Sequence, residues 1–393
     1  MKHNKELDLS IGYISTVQFP STQTDTEQTI RTIDALWKQS VKIDMIVPRS
    51  KALKQIDPEA VISKFYTVDG GFKLRTYPSL LPLPLEAERI VAALIAAFRY
   101  GKQYDIIHTR SRGVFILSIL RRQPVIFETY RDLPKTAPIF SRLLKLVAHS
   151  KYFLGVICHS ALSAGALEPL QIDQSKAAVV YNGFDPSLLQ PALSKKQARD
   201  ILNWPATGKT VVYAGNVQHN KGISVLLDLA EALPDARFII VGGQESHLQA
   251  LEQQITNRKI NNIELAGWKS HNELAPYLYA ADVLIIPPTS GPLEKFGRTV
   301  LPMKTFLFLG AGRTIIAPAT PDICEILEHN VNALLPAPDD FEGAIAALNL
   351  ALGDESLGDR LGNAAHKKSL DLTWQKRAQR IAKLYHDWFV QIK

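Results

Sequence analysis

Cysteines and long apolar runs are scarce in this 393-residue sequence. Its two cysteines, Cys158 and Cys324, lie far apart, which argues against a disulfide framework or a cysteine-rich metal site and is typical of a reducing compartment. The longest apolar run, IVAALIAAF (90–98), is too short to span a membrane. The N-terminal stretch lacks the apolar segment of a signal peptide, so we expect a cytoplasmic protein.

The second half of the chain has no net charge, and the basic excess lies in the first half. Residues 186–393 hold 21 Lys and Arg against 21 Asp and Glu, whereas residues 1–185 hold 24 against 17. A solvated basic face explains this excess as well as attraction to something anionic does, either lipid headgroups or a phosphate-bearing substrate. Nucleic acid is not expected as a partner, because the sequence has no zinc knuckle, RNP-like aromatic box or lysine-rich tail.

Strand-like and helix-like segments alternate along the sequence. The composition, 46% hydrophobic and 21% charged, is that of a globular protein, and the length fits two domains. Alternating elements with short connections predict mostly parallel sheets with helices on both faces, in which ligands bind beyond the carboxyl ends of the strands. The predicted strands include residues 104–110, 124–130, 210–215, 236–243 and 332–337, and the predicted helices include residues 139–153, 302–311 and 322–329.

The loop AGNVQHNKG (214–222) follows a predicted strand and opens a predicted helix. Small residues and free N–H groups at a helix N-terminus favour an anion, and Lys221 adds a positive charge there. The loop has neither the Walker ending nor the dinucleotide glycine spacing. An ordinary strand-to-helix turn, with Lys221 and His219 exposed, explains the loop equally well.

Several motifs resemble family-4-type retaining glycosyltransferases of the GT-B fold. The segments VVYAGNVQHNKGISVLLDLAEALPDARFIIVGG and NIELAGWKSHNELAPYLYAADVLIIPP resemble the C-terminal domain of that family. VVYNGFD (179–185) is similar to the end of its first domain, CEILEHNVNALLPAPDD (324–340) to its Glu-containing turn and following strand, and LTWQKRAQRIAKLY (372–385) to its closing helix.

The resemblance implies an α/β protein with two doubly wound Rossmann-like domains facing across a cleft. Residues 1–188 would form the acceptor-side domain, on which helix 374–393 packs back, and residues 189–373 the nucleotide-sugar-binding domain. The implied activity is transfer of a sugar from a nucleotide-diphosphate sugar to a glycan, lipid-linked or small-molecule acceptor, with retention and without a metal ion or cofactor. Cations and helix N-termini would then stabilise the leaving diphosphate.

The family's paired glutamates are missing from GPLEKFGRTVLPMKTFLFLGAGR (291–313). One alignment of the motif places Thr299 and Leu307 at the two acidic positions, and the other pairs Glu294 with Pro302, so neither gives two acids. A Pro-x-Lys at a helix start, with Lys304 in the first turn, suits a diphosphate. A surface lysine is the alternative reading of Lys304.

Other positions also depart from the family pattern. The arginine that often precedes Lys221 in the family is Asn216 here, and the histidine of the first domain is Tyr130, which is a poor base near neutrality. Glu325 matches a family glutamate and could equally be a helix-stabilising carboxylate. The resemblance therefore suggests Tyr130, Lys221 and Lys304 as catalytic residues. Donor contacts are assigned to Gly215, Asn216, His219, Gly243, Trp268, Glu294, Arg298, Thr299, Pro302 and Glu325, and acceptor contacts to Thr16, Arg110, Arg112 and Arg131.

Two further questions stay open at the level of sequence. The missing acids and Tyr130 also fit a catalytically silent GT-B protein that binds sugar nucleotides or a partner, whereas a GT-B epimerase lacks the carboxylates that its chemistry needs. The helix IFSRLLKLVAHSKYFLG (139–155) mixes cations with a broad apolar face. It fits peripheral contact with an anionic inner membrane face, and it fits packing in a domain core.

Overall fold

A computed structural model describes residues 8–50, 53, 57–78, 85–218, 221–291 and 298–392 of the chain. It divides into two compact units. The first combines Met1–Asn182 with Trp374–Lys393, and the second spans Gly183–Thr373. From the sequence we expect this division between residues 188 and 189, with the final helix in the first domain.

The first unit is built on a parallel sheet, to which the described residues contribute seven strands in the order β3-β2-β1-β4-β5-β6-β7. The central strands β1, β4, β5 and β6 are apolar and mostly buried on both faces, as expected when helices cover both sides of the sheet, whereas the edge strands β3 and β7 are only partly buried. The strands are β1 (Ser10–Ile14), β2 (Lys42–Pro48), β3 (Lys73–Tyr77), β4 (Ile106–Thr109), β5 (Val125–Thr129), β6 (Phe153–Cys158) and β7 (Ala177–Val179).

Helices of the first unit form a layer on each face of this sheet. The chain runs through α1 (Thr24–Lys38), α2 (Pro58–Tyr66), α3 (Leu85–Tyr100), α4 (Arg112–Leu120), α5 (Leu133–Thr136), α6 (Pro138–Val147) and α7 (Ala161–Gly165), and ends in α15 (Trp374–Val390). Helices α3, α4 and α6 share one buried core that includes Ala96, Phe115, Phe127 and Leu144. Helix α15 packs against α1 and covers β6, where its Trp388 lies over Gly155. The two layers therefore cover opposite faces.

The second unit has a parallel sheet of five described strands in the order β10-β9-β8-β11-β12. These are β8 (Lys209–Ala214), β9 (Ala236–Val241), β10 (Ile263–Gly267), β11 (Val283–Ile285) and β12 (Thr314–Ile316). The helices are α8 (Lys195–Ile201), α9 (Ile223–Ala232), α10 (Glu245–Arg258), α11 (His271–Ala280), α12 (Met303–Ala311), α13 (Phe341–Gly353) and α14 (Glu355–Ser369). The strand order reverses at β8, which places the loop after β8 at the position where ligands bind in such sheets.

The predictions for residues 322–337 were wrong. Residues 322–329 form only a short 3-10 turn, Ile323–Glu325, because the Asn332 side chain accepts from Glu328 N at 2.8 Å and donates to Ile326 O at 3.3 Å. Such side-chain bonds to the backbone compete with a helix. Residues 332–337 make only isolated bridges at Ala333 and Leu334, and a proline without an N–H follows at position 336.

Helix α6 ends at Val147, earlier than the predicted residue 153. Among the described residues, none of the helices has the length and apolar character needed to cross a bilayer.

Candidate functional site

A cavity of about 400 Å³ lies in the second unit, beyond the carboxyl ends of β8, β9 and β10. The loops after these strands form part of its wall, and one side of α12 forms another part. The residues that line it include Gly215, Asn216, Gly243, Gln244, Trp268, Lys269, Lys304 and Leu307. The predicted donor contacts Gly215, Asn216, Gly243 and Trp268 therefore come together with Lys304 at one site.

Glycines allow the loops at the floor of the cavity to approach one another closely. Gly215 has φ +146°, and a Cβ there would lie 2.8 Å from Lys304 Nζ. Gly242 has φ +109°, and its Cβ would lie 2.3 Å from the carbonyl oxygen of Gly215. Both conformations are unfavourable for residues with a side chain. The absence of side chains thus gives the Lys304 ammonium its space and exposes backbone groups to the cavity.

Lys304 is a partly buried cation in the first turn of α12, one residue after Met303. Its ammonium lies 3.7 Å from the centre of the Tyr213 ring, a cation–π contact. Burial, together with repulsion from Lys221, lowers the pKa of Lys304 to about 7. Among the described residues, no carboxylate forms an ion pair with either lysine. Lys304 lies at the start of α12 and Lys221 just before α9, near enough to repel each other. Two such cations without a described counter-charge make an electrostatically favourable site for an anion.

Tyr213 holds the loop after β8 in place. Its side chain is buried, and its hydroxyl donates to the carbonyl oxygen of Asn216 at 2.6 Å. Burial raises the pKa of Tyr213, so the hydroxyl remains a donor at neutral pH. The same ring therefore fixes Asn216 through its hydroxyl and contacts Lys304 through its face.

The remaining predicted donor residues lie outside the described lining of this cavity. Arg298 has φ +61° and donates to the carbonyl oxygen of Ser290, Thr299 is buried, and Pro302 is the N-cap residue of α12. Glu325 ends a 3-10 turn. The prediction that it lies near the start of a helix was therefore wrong. Predicted contacts His219 and Glu294 lie outside the described residues. Sequence reasoning missed Gln244 and Lys269, which follow β9 and β10 and line the cavity.

A second group of polar side chains is buried in the first unit, around Glu128 at the end of β5. The Glu128 carboxylate accepts from Arg110 Nη2 at 2.8 Å, His159 Nε2 at 2.5 Å and Arg377 Nη2, and lies 3.0 Å from His108 Nε2. We call these five residues the Glu128 cluster.

Charge balance sets the protonation of the Glu128 cluster. Burial acts to raise the pKa of Glu128, but Arg110 and Arg377 hold it well below its usual value. Burial and the same two cations lower the pKa of His159 to about 3, so its imidazole is neutral. The cluster is therefore one carboxylate between two guanidinium groups, with neutral imidazole as additional hydrogen-bond donor.

Two predicted acceptor residues, Thr16 and Arg110, lie at the same edge of the sheet as Tyr130, which was predicted to be catalytic. Arg110 and Tyr130 directly follow β4 and β5, and Thr16 lies two residues beyond β1, which neighbours β4 in the sheet. The Arg110 guanidinium is partly buried and donates to Glu128, whereas the side chains of Arg112 and Arg131 are exposed. Arg131 donates to the Tyr130 hydroxyl at 3.3 Å.

Two family models match the chain. The model described as "Glycosyl transferases group 1" covers residues 194–368, and the model described as "Glycosyltransferase Family 4" covers residues 28–188. Together they account for most of both units.

Individual relatives and solved structures show the same likeness. The sulfoquinovosyl transferase of Arabidopsis thaliana is 23% identical over 78% of this chain and 60% of its own length. The UDP-Gal:alpha-D-GlcNAc-diphosphoundecaprenol alpha-1,3-galactosyltransferase of Escherichia coli is 24% identical over 76% and 80%. The crystal structure of Anabaena HepE in complex with UDP has a TM-score of 0.74 and 18% identity, covering 96% of this chain and 100% of that one. The chain spans about half the length of several other curated relatives that it matches.

Proposed function

Because this chain belongs to the group 1 glycosyltransferases of the GT-B fold, we propose that it transfers a sugar from a nucleoside diphosphate sugar to an acceptor with retention of anomeric configuration. The observation that carries the proposal is the cavity of the second unit, which Lys304 lines from the first turn of α12. Neither Lys304 nor Lys221, the cation that repels it, has a described counter-charge. A diphosphate supplies the negative charge that this site lacks.

The two lysines suit a reaction that needs no metal ion. Departure of the nucleoside diphosphate leaves negative charge on its phosphate oxygens, and fixed cations in a partly desolvated site stabilise that charge. The bond between the anomeric carbon and the phosphate oxygen breaks, the acceptor oxygen bonds to the same face, and the acceptor proton passes to the departing phosphate. Lys304, Lys221 and the first N–H groups of α12 then stabilise the leaving group, and Tyr130 need not act as a base.

Donor contacts are proposed for the residues around the lysines. The backbone at Gly215 and Gly243 approaches the donor closely, because neither residue has a side chain. Trp268 is 73% exposed at the rim of the cavity, where its ring can contact the base or the sugar. UDP is the first nucleotide to test, since the Anabaena structure contains UDP and the name of the Escherichia coli relative includes UDP-Gal.

The acceptor is proposed to bind the first unit near Thr16, Tyr130, Arg112 and Arg131. Exposed guanidinium groups favour an anionic acceptor, such as a glycan carried on a lipid diphosphate. The Escherichia coli relative, whose name contains a diphosphoundecaprenol acceptor, supports this class. Arg110 is proposed to shape the acceptor site from the Glu128 cluster.

Calorimetric titration with UDP, GDP, ADP and dTDP tests the site. Removing one charge-assisted contact costs about 1.5–3 kcal/mol, so Lys304→Ala and Lys221→Ala should each weaken the preferred nucleotide by roughly 10- to 100-fold. Lys209→Ala is the matched control, because Lys209 is an exposed lysine at the opposite end of β8. If both cavity variants bind every nucleotide as the parent does, the assignment of the site is wrong.

A catalytically silent sugar-nucleotide-binding protein is the second candidate function. The supporting observation is that Leu307, at one of the two expected acidic positions, lines the cavity. Incubation with UDP-sugars separates the two candidates, because even slow release of UDP indicates an enzyme. Tight binding without turnover, with or without added acceptor, indicates the silent form.

A further inference from the structure

Three helices of the first unit expose an unusual number of large apolar side chains. Helix α3 presents Ile90, Leu94 and Phe98 at 63%, 40% and 61% exposure, and Leu120 at the end of α4 is 73% exposed. Helix α6 presents Ile139, Leu143 and Leu146 at 74%, 41% and 76%. Single exposed apolar residues are ordinary, but a group of them on neighbouring elements marks an interaction surface.

The exposed residues form stripes along their helices. On α3 they recur every four residues, and on α6 they stand at positions i, i+4 and i+7, so each set lies along one side of its helix. The opposite side of α6 packs in the hydrophobic core, where Phe140 and Leu144 are buried. Helix α6 therefore has two apolar sides, and only one of them is used in folding.

The three helices lie in one layer, so their stripes share one surface. The ring of Phe115 on α4 lies 5.9 Å from that of Phe140 on α6, and all three helices bury residues in the same core on one face of the sheet. On the outer side, the Arg121 guanidinium lies 4.2 Å from the centre of the exposed Phe98 ring. The outward side of this layer, comprising the seven exposed residues, is called the α3-α4-α6 face.

Basic residues outnumber acidic ones in the part of the chain that carries α4 and α6. Residues 112–151 contain eight Lys and Arg but only two Asp and Glu, and one of those acids, Glu128, is buried in its own cluster. The exposed cations Arg142 and Lys145 alternate in sequence with the exposed apolar residues of α6 and lie along one side of their stripe, where Lys145 Nζ also donates to the carbonyl oxygen of Pro169 at 3.4 Å. Protein interfaces have cores depleted of charge, whereas apolar side chains interleaved with cations are typical of helices that lie on anionic membranes.

We propose that the α3-α4-α6 face docks on the surface of a membrane rich in anionic phospholipids. The apolar side chains enter the boundary between headgroups and acyl chains, and Arg142, Lys145 and their neighbours pair with headgroup phosphates. The α3-α4-α6 face belongs to the first unit and shares no residue with the cavity of the second unit, so membrane docking does not depend on the proposed transferase activity.

Vesicle flotation of the full chain tests the proposal. The protein should float with phosphatidylcholine vesicles that contain phosphatidylglycerol and bind far more weakly to phosphatidylcholine alone. Arg142→Ala and Lys145→Ala should each lower the partition coefficient about fivefold, the effect of one cation near the membrane surface. Ile139→Ser and Leu146→Ser should each lower it on the order of tenfold, because each removes a large apolar side chain from the boundary.

Matched controls lie elsewhere on the molecule. Arg380→Ala and Lys383→Ala remove two exposed cations from α15, on the opposite face of the same sheet, and should leave vesicle binding unchanged. Ile201→Ser and Leu370→Ser remove exposed apolar side chains from the second unit with the same expectation.

Three results would overturn the proposal. They are parent protein that ignores anionic vesicles, control variants that lose binding as much as the face variants, and face variants that change only self-association in sedimentation equilibrium. UDP titration of the same samples keeps the two proposals separate, since a face variant should bind UDP as the parent does. Loss of vesicle binding with intact UDP binding is the expected outcome for the face variants.

Discussion

The proposed binding of a nucleotide at Lys304 should be sensitive to pH, because burial and Lys221 lower the pKa of Lys304 to about 7 from an ordinary value of 10.5. In the empty cavity the ammonium lacks a described counter-charge, and a bound diphosphate supplies one. The bound anion should therefore return the pKa towards its ordinary value, so that binding takes up a proton above pH 7. Tyr213, the aromatic neighbour, stays protonated in this range because burial raises its pKa.

The size of the effect follows from the two pKa values of Lys304. With about 7 for the empty site and 10.5 for the complex, the dissociation constant should rise about 50-fold between pH 7 and pH 9. At pH 8 roughly 0.9 of a proton should be taken up per nucleotide bound. The range above pH 7 avoids the second ionisation of a terminal phosphate, which lies near pH 6.

Isothermal titration calorimetry with UDP, in buffers of different ionisation enthalpy, measures both the affinity and the proton uptake. Lys304→Arg is the informative variant, because a guanidinium stays charged over the whole range and should flatten the pH dependence. A flat profile for the parent, or release of protons on binding, would refute the placement of the diphosphate at Lys304. A profile that stays steep in Lys304→Arg would assign the titration to another group.

Other substitutions should separate the site from the scaffold. Gly215→Ala introduces a Cβ close to Lys304 Nζ at a positive φ, so UDP binding should weaken at least tenfold, with a stability loss of about 1–3 kcal/mol in urea denaturation. Glu128→Gln leaves two buried guanidinium groups without their carboxylate and should lower the free energy of unfolding by about 3–5 kcal/mol, without changing UDP affinity in the folded protein. The pKa of His159 is about 3 in the folded protein and 6.5 in the unfolded chain, so the unfolded chain binds the proton first as the pH falls. The free energy of unfolding should therefore decrease between pH 6.5 and pH 3, which acid denaturation followed by circular dichroism measures. Trp268→Ala should weaken UDP binding roughly 5- to 100-fold if the ring stacks on the base, whereas an unchanged affinity in calorimetry would place the base elsewhere.

Local signals predicted the parts of the fold and site that depend on neighbouring residues. The alternation of apolar strands and amphipathic helices predicted two parallel α/β units, and the GT-B fold is confirmed by the solved structures. The helix start at Pro302 was predicted because a proline before an apolar run is a local feature. Lys304 was therefore placed in the first turn of a helix, where the structure has it.

Contacts between distant segments could not be predicted from local sequence patterns. The contact of Lys304 with the Tyr213 ring joins α12 to β8, which are far apart in the sequence, and no local pattern predicts that contact. The Glu128 cluster draws on four separate segments. Its only local signals were a glutamate and two histidines at the ends of otherwise apolar strands. The predicted helix at 322–329 was wrong because Asn332, beyond its end, binds the backbone that the helix would have used.

The first unit is discontinuous in sequence, and Arg377 lies in the segment that follows the second unit. The second unit, Gly183–Thr373, is complete before the ribosome reaches the helix that carries Arg377. The first unit begins earlier but lacks that helix until the end, so Glu128 keeps only part of its counter-charge while nearly the whole chain is being made. Domains that form from contiguous sequence fold as they emerge, whereas the first unit also needs a segment that follows the second unit in the sequence. The segment of the first unit that is translated first therefore waits for its Arg377 partner until the whole second unit has been translated.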